Sequence, residues 1–215
     1  MDRKNTLRQK EYVLVYFVMM AAAQLVCYYV PRIFLANRAL VDIGSALDAK
    51  IPFLPGWVIV YILAYLSWAI GGVVILWNRR DYAPRFAFAY ITAMLICGFC
   101  FAAFPATIQR PELAGEGFIM GLMRFIYSAD TPTCLCPSLH VLISYMCWRG
   151  TLGCERIPKW YKWTFFVLFV LVSFSVVFVK QHAAADIPAG ILAAEIAVRF
   201  ADFIKPDALF KKHFI

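Results

Sequence analysis

Six apolar stretches, each near the ~20 residues that a helix needs to cross a bilayer, dominate this 215-residue chain. They run from Tyr12 to Val30, Trp57 to Trp77, Phe86 to Phe104, Leu139 to roughly Gly153, Trp163 to Val179 and Ala183 to Ala201. The first follows a basic segment, as a secretory signal would. It is longer than the about 7–15-residue core of such a signal and no small-residue cleavage site follows, so an uncleaved span is expected. The fourth is short and contains Arg149. The sixth is rich in alanine and holds Gly190, and small residues let membrane helices approach closely. Composition agrees: 63% of residues are hydrophobic and 16% charged, against about 45–50% and about 25% in soluble domains. That excludes a water-soluble globule, and equally a disordered chain. The net charge of +8 brings nucleic acid to mind, but in so apolar a chain the side of the membrane that holds the positive charge is the better question.

Six crossings from a cytoplasmic N-terminus sort the charges. Arg3, Lys4, Arg8, Lys10, Arg79, Arg80, Arg85, Arg149, Arg156, Lys159, Lys162, Arg199, Lys205, Lys211 and Lys212 fall inside, which is 15 of the 21 basic residues. Arg32, Arg38, Lys50, Arg110, Arg124 and Lys180 fall outside. The positive-inside rule expects this bias. The expected architecture is an all-α bundle of six transmembrane helices, one domain over residues 1–215, with both termini cytoplasmic. Two longer connections are external. Residues 31–56 carry an amphipathic piece around Ala36–Leu47 suited to the interface. Residues 105–138 are expected as a loop.

Ionisable groups at membrane depth are expensive, and an unusual set gathers at the outer ends of spans three to six: Arg110, Ser138, His140, Lys180, His182 and Asp186. His182 and Asp186 are four apart and would share a helix face. The carboxylate would then fix the imidazole tautomer and leave the other ring nitrogen nucleophilic. Ser138 suits the N-cap of the fourth span, and a helix N-terminus favours an anion, with His140 in its first turn. Arg110 could grip phosphate oxygens in pairs. Each feature also has a plain structural explanation: a solvated helix-end pair, a capped helix, a head-group anchor. Cys134, Cys136 and His140 match no common zinc spacing.

Together the pieces resemble the type-2 phosphatidic acid phosphatase superfamily of integral-membrane lipid phosphatases. Cys136-Pro137-Ser138-Leu139-His140 is similar to its Pro-Ser-x-His motif, Val179 to Asp186 to its closing His-x-x-x-Asp motif, and Phe104-Pro105 through Gln109-Arg110-Pro111 to its first motif. The resemblance covers roughly residues 85–195. It implies a lipid phosphatase acting at the extracytoplasmic face of the cell membrane through a phosphohistidine. In that scheme His182 is the nucleophile, Asp186 orients it and His140 protonates the leaving group and then activates water. Arg110 and Ser138 hold the phosphate, and no metal or other cofactor is required. The partners implied are a lipid phosphate substrate and membrane lipids, with no nucleic acid. Two family cations are absent: Ala103 and Val176 stand at their positions. Lys180 could replace one, although on an ideal helix it lies about 160° from His182 and would need a break in the helix or a snorkelling side chain. Two alternatives share the same residues: a head-group phosphotransferase passing the phosphoryl group to a lipid or inositol hydroxyl, and a catalytically inactive membrane scaffold.

Overall fold

The computed structural model describes residues 3–35 and 37–208. Lys211 and Lys212 of the inner charge cluster lie outside these residues. Within them the chain is helical: α1 Arg3–Leu35, α2 Ala46–Lys50, α3 Val58–Asn78, α4 Ala83–Ala103, α5 Phe118–Ala129, α6 Leu139–Arg149, α7 Lys159–Phe178 and α8 Asp186–Ile204. One 3-10 turn, Pro55–Trp57, leads into α3. Two residue pairs, Val41–Asp42 (β1) and Ala106–Thr107 (β2), form a short parallel ladder between the two long connections.

Four segments have the length and apolarity to cross a membrane: Gln9–Leu35, Pro55–Asn78, Ala83–Ala103 and Lys159–Phe178. These correspond to expected spans one, two, three and five. Their outer surface bears this out. Leu14, Val15, Val18, Leu25 and Val26 on α1 are each more than half exposed, as are Leu66 on α3 and Leu95 and Phe99 on α4. Soluble monomers rarely expose apolar patches beyond a few hundred Å², so this belt fits a hydrocarbon solvent.

The other two helices differ from the expectation. α6 has 11 residues and rises only about 16 Å. α8 has 19 residues but carries Asp186, Glu195, Arg199 and Asp202. Their place in the bundle explains their composition. α6 packs against α3, α7 and α8, and Leu139 through Ser144 are all buried, so it is a central helix buried on every side. α8 packs on α6 and α4 through its small residues. An alanine Cβ at Gly190 would stand 2.8 Å from the Ser138 carbonyl oxygen. That contact brings α8 directly against the start of α6.

The two long connections are more ordered than the sequence suggested. Residues 118–129, expected within a loop, form α5, with Met123 and Ile126 buried and Phe118 and Phe125 exposed. The Ala36–Leu47 piece is divided between β1 and the start of α2; its first residue, Ala36, lies outside the described residues.

Candidate active site

His182 sits in the turn between α7 and α8, before the first residue of α8. The backbone turns sharply there: Lys180 adopts a left-handed φ of 55°, and the N–H groups of Gln181 and His182 both donate to the Val176 carbonyl, at 3.0 and 3.1 Å. The pair with Asp186 therefore forms across a turn and not along a helix face, as the four-residue spacing had suggested. His182 Nδ1 lies 3.0 Å from Asp186 Oδ2, and the Ala183 N–H donates to the same oxygen at 3.1 Å. Asp186 is fully buried and His182 is 6% exposed. A buried carboxylate held this way fixes the ring orientation and favours the proton on Nδ1. The Cys136 thiol faces this carboxylate; burial first, and then the carboxylate charge, push its pKa up to about 12.

Ser138 caps α6 as expected. Its hydroxyl accepts from the Val141 N–H at 3.5 Å, and its own N–H donates to the Asp186 carbonyl at 3.3 Å. The cap thus ties α6 to α8. His140, in the first turn of α6, stacks on Tyr61 with ring centroids 4.0 Å apart and also contacts Tyr65 and Trp68. Its centroid stands 6.1 Å from that of His182. Its Nε2 is buried without a hydrogen-bond partner among the described residues. Both imidazoles line a cavity of about 310 Å³ together with Tyr28, Tyr29, Tyr65, Trp68 and Asp130, among others.

The two expected phosphate-binding cations point elsewhere. Arg110 donates to the carbonyls of Tyr127, at 3.2 Å, and Asp130, at 2.7 Å, and to the Gln181 side-chain oxygen, with its guanidinium over the Tyr127 ring. It braces the loop behind the cavity. Lys180 donates to the carbonyls of Asp48, at 2.7 Å, and Ile51, at 2.6 Å. The helix break required to redirect its side chain is present, but it aims Lys180 at α2 and not at the cavity. Neither cation lines the cavity, and neither does Ser138.

Several contributors were not anticipated. The Asp130 carboxylate accepts from the hydroxyls of Tyr28 and, at 3.0 Å, Tyr61. Arg32 stands beside this cluster, donating to the Tyr28 hydroxyl at 2.9 Å and to Thr131 Oγ1 at 2.5 Å. Tyr61, Tyr65 and Trp68 recur at spacings of four and three in α3, and that pattern was readable as one aromatic face. The fold of Asp130 back onto Tyr28 and Tyr61 had no local signal.

No family model, no curated protein and no solved structure matches the chain.

Proposed function

We propose that the chain is a six-span integral-membrane phosphatase that hydrolyses a lipid phosphate at the extracytoplasmic face through a phosphohistidine. One observation carries this reading: a buried His–Asp pair, 3.0 Å apart, shares a cavity with a second imidazole whose centroid is 6.1 Å from the first. The gap suits a substrate group between two partners that each need hydrogen-bond reach to it. α6 and α8 serve as the fourth and sixth crossings, and the distribution of basic residues supports cytoplasmic termini.

In this mechanism neutral His182 keeps its Nδ1 proton toward Asp186, and the Nε2 lone pair attacks phosphorus. The bond from phosphorus to the lipid oxygen breaks, and that oxygen takes its electron pair and a proton from protonated His140. The lipid alcohol departs and leaves a phosphohistidine. His140, now neutral, takes a proton from water as the water oxygen bonds to phosphorus. The P–N bond then breaks, its electrons return to Nε2, and phosphate leaves. The net change is ester plus water to alcohol plus phosphate.

A second reading, transfer of a phosphodiester head group to a lipid or inositol hydroxyl, is favoured by the cavity wall. Among the described residues, none of those lining it is lysine or arginine, and Asp130 is among them. A monoanionic phosphodiester costs less to hold there than a dianionic monoester.

The test is phosphate release by the purified protein from phosphatidic acid and from an isoprenyl diphosphate, with product analysis in the presence of inositol and diacylglycerol. Equal activity in His182→Ala and wild type would remove the nucleophile assignment. Inertness of the wild type toward all of these substrates leaves the scaffold alternative.

A further inference from the structure

The turn that carries His182 is held from outside the helical bundle. α8 begins without a side-chain cap of its own, since Ala185 occupies that position. The N–H groups of Asp186 and Ile187 turn back to the carbonyls of Ala183 and Ala184, and the turn before the helix finds its acceptor in the first long connection: Asp48 Oδ1 accepts from the Ala184 N–H at 2.7 Å, across 136 positions of sequence. The other Asp48 oxygen accepts from the Ser45 N–H at 2.9 Å and from the Ser45 hydroxyl at 2.5 Å, so the carboxylate is fixed before it reaches the turn. In return the Lys180 ammonium satisfies the carbonyls of Asp48 and Ile51 at the end of α2. A negative charge thus sits at the start of α8 and a positive charge at the end of α2, each the favourable sign for its helix terminus.

Other contacts fasten the same segment. The Leu54 N–H donates to the Phe178 carbonyl at 3.0 Å, and Trp57 packs on Phe178. Ile43 packs on the small cluster of Ala106, Ile108, Leu135 and Ala183. Ala183 lies between His182 and Ala184, so the clamp and this cluster meet at the nucleophile's own turn.

We propose that Asp48 and Lys180 form a reciprocal clamp that positions His182 for attack, which makes Asp48 a positioning residue of the site. The inference rests on the phosphohistidine reading for its kinetic effect but not for its geometry. Asp48 touches no substrate; it sets the path of residues 182–184.

The experiment uses the full chain in lipid nanodiscs with Asp48→Ala, Lys180→Met and the double substitution. With dioctanoyl phosphatidic acid, each single change lowers kcat by about ten- to a hundredfold, the cost of a small misplacement of a reacting group, while KM stays within about threefold. The double variant is no slower than the worse single variant, because either change opens the same clamp. Asp48→Asn retains an acceptor for the Ala184 N–H and recovers most of the rate. A readout independent of turnover is carbethoxylation of histidine by diethyl pyrocarbonate, followed by mass spectrometry. Opening the clamp raises the rate at His182 by more than about threefold while His140 is unchanged, as expected of local opening. Unaltered His182 reactivity in both single variants overturns the clamp, whatever the activity. Losses that multiply in the double variant, or that follow the melting temperature alone, overturn it as well. A wild type that turns over nothing, with His182 reactivity still rising in Asp48→Ala, refutes the phosphatase reading and leaves the clamp standing.

Discussion

The Tyr61 ring lies flat against the His140 imidazole at 4.0 Å while its hydroxyl donates to Asp130 at 3.0 Å. The general acid of the proposed reaction is therefore oriented by an aromatic face that is itself anchored to a carboxylate. If His140 protonates the leaving oxygen, its removal matters most when that oxygen is basic. His140→Gln should slow phosphorylation of the protein by an alkyl phosphate by about two to four orders of magnitude and by p-nitrophenyl phosphate much less, whereas the water-activating step is shared by both substrates. Single-turnover formation of the phosphohistidine from the two substrates, measured side by side, checks this, and equal losses in that step would remove the acid role.

The His182–Asp186 pair makes a companion prediction. Asp186→Asn keeps the size but can present an N–H to His182 Nδ1, which favours the tautomer with its proton on the attacking nitrogen. A loss of several orders of magnitude in kcat, up to about 10⁴, is expected, with the protein still folded by melting temperature.

Asp48 links pH to stability. Burial raises its pKa, but the hydrogen bonds from the Ser45 side chain, the Ala184 N–H and the Ser45 N–H, with the Lys180 charge, outweigh burial and leave it below the ordinary aspartate value. A carboxylate with a depressed folded pKa adds stability above its unfolded value of about 3.9, and that stability is lost as pH falls through the folded value. The difference in melting temperature between wild type and Asp48→Asn should be full near neutrality and should shrink below about pH 4. A constant difference down to pH 3 or so would contradict this linkage.

Gly190 is the point of closest approach between α8 and the cap of α6. Its missing Cβ would meet a backbone oxygen, which cannot rotate away. Gly190→Ala should destabilise by about 1–3 kcal/mol, the usual cost of overpacking. It should also lower activity by separating the two imidazoles. Gly56→Ala is the control: nothing lies within 4 Å of the added atom.

Sidedness has a direct check. Glu116 and Glu155 are both exposed, in different interhelical connections. An impermeant maleimide should label Glu116→Cys on intact cells above the level of the parent chain, and Glu155→Cys only after the cells are opened. The reverse pattern would invert the proposed topology.

The sequence carried the membrane character and the pairing of His182 with Asp186 for different reasons. The spans within α1, α3, α4 and α7 are long apolar runs of the kind that face a hydrocarbon solvent, and they announce themselves. α6 and α8 face protein, so polar and small residues such as Ser144, Glu195 and Gly190 are tolerated and blur the signal. α5 was hidden inside a segment bounded by prolines and glycines. At the site, the spacing of His182 and Asp186 foretold their contact, although a turn and not a helix delivers it. Lys180 and Arg110 show where sequence reasoning stops. Their charge pointed to an anion, but backbone carbonyls from α2 and the α5 end hold them, and no local pattern reveals a partner so remote in the chain.

The brevity of α6 has a consequence for how a lipid would arrive. His140 and Arg149 lie at opposite ends of this helix, so only about 14 Å of rise separates them, less than half of a hydrocarbon core of about 30 Å. If Arg149, paired with Glu195, marks the inner boundary as the proposed topology has it, the reacting phosphorus would descend well below the plane of the neighbouring head groups. Each turnover would then begin with a lipid pulled headfirst into the protein, and the bilayer around it would have to dimple to follow.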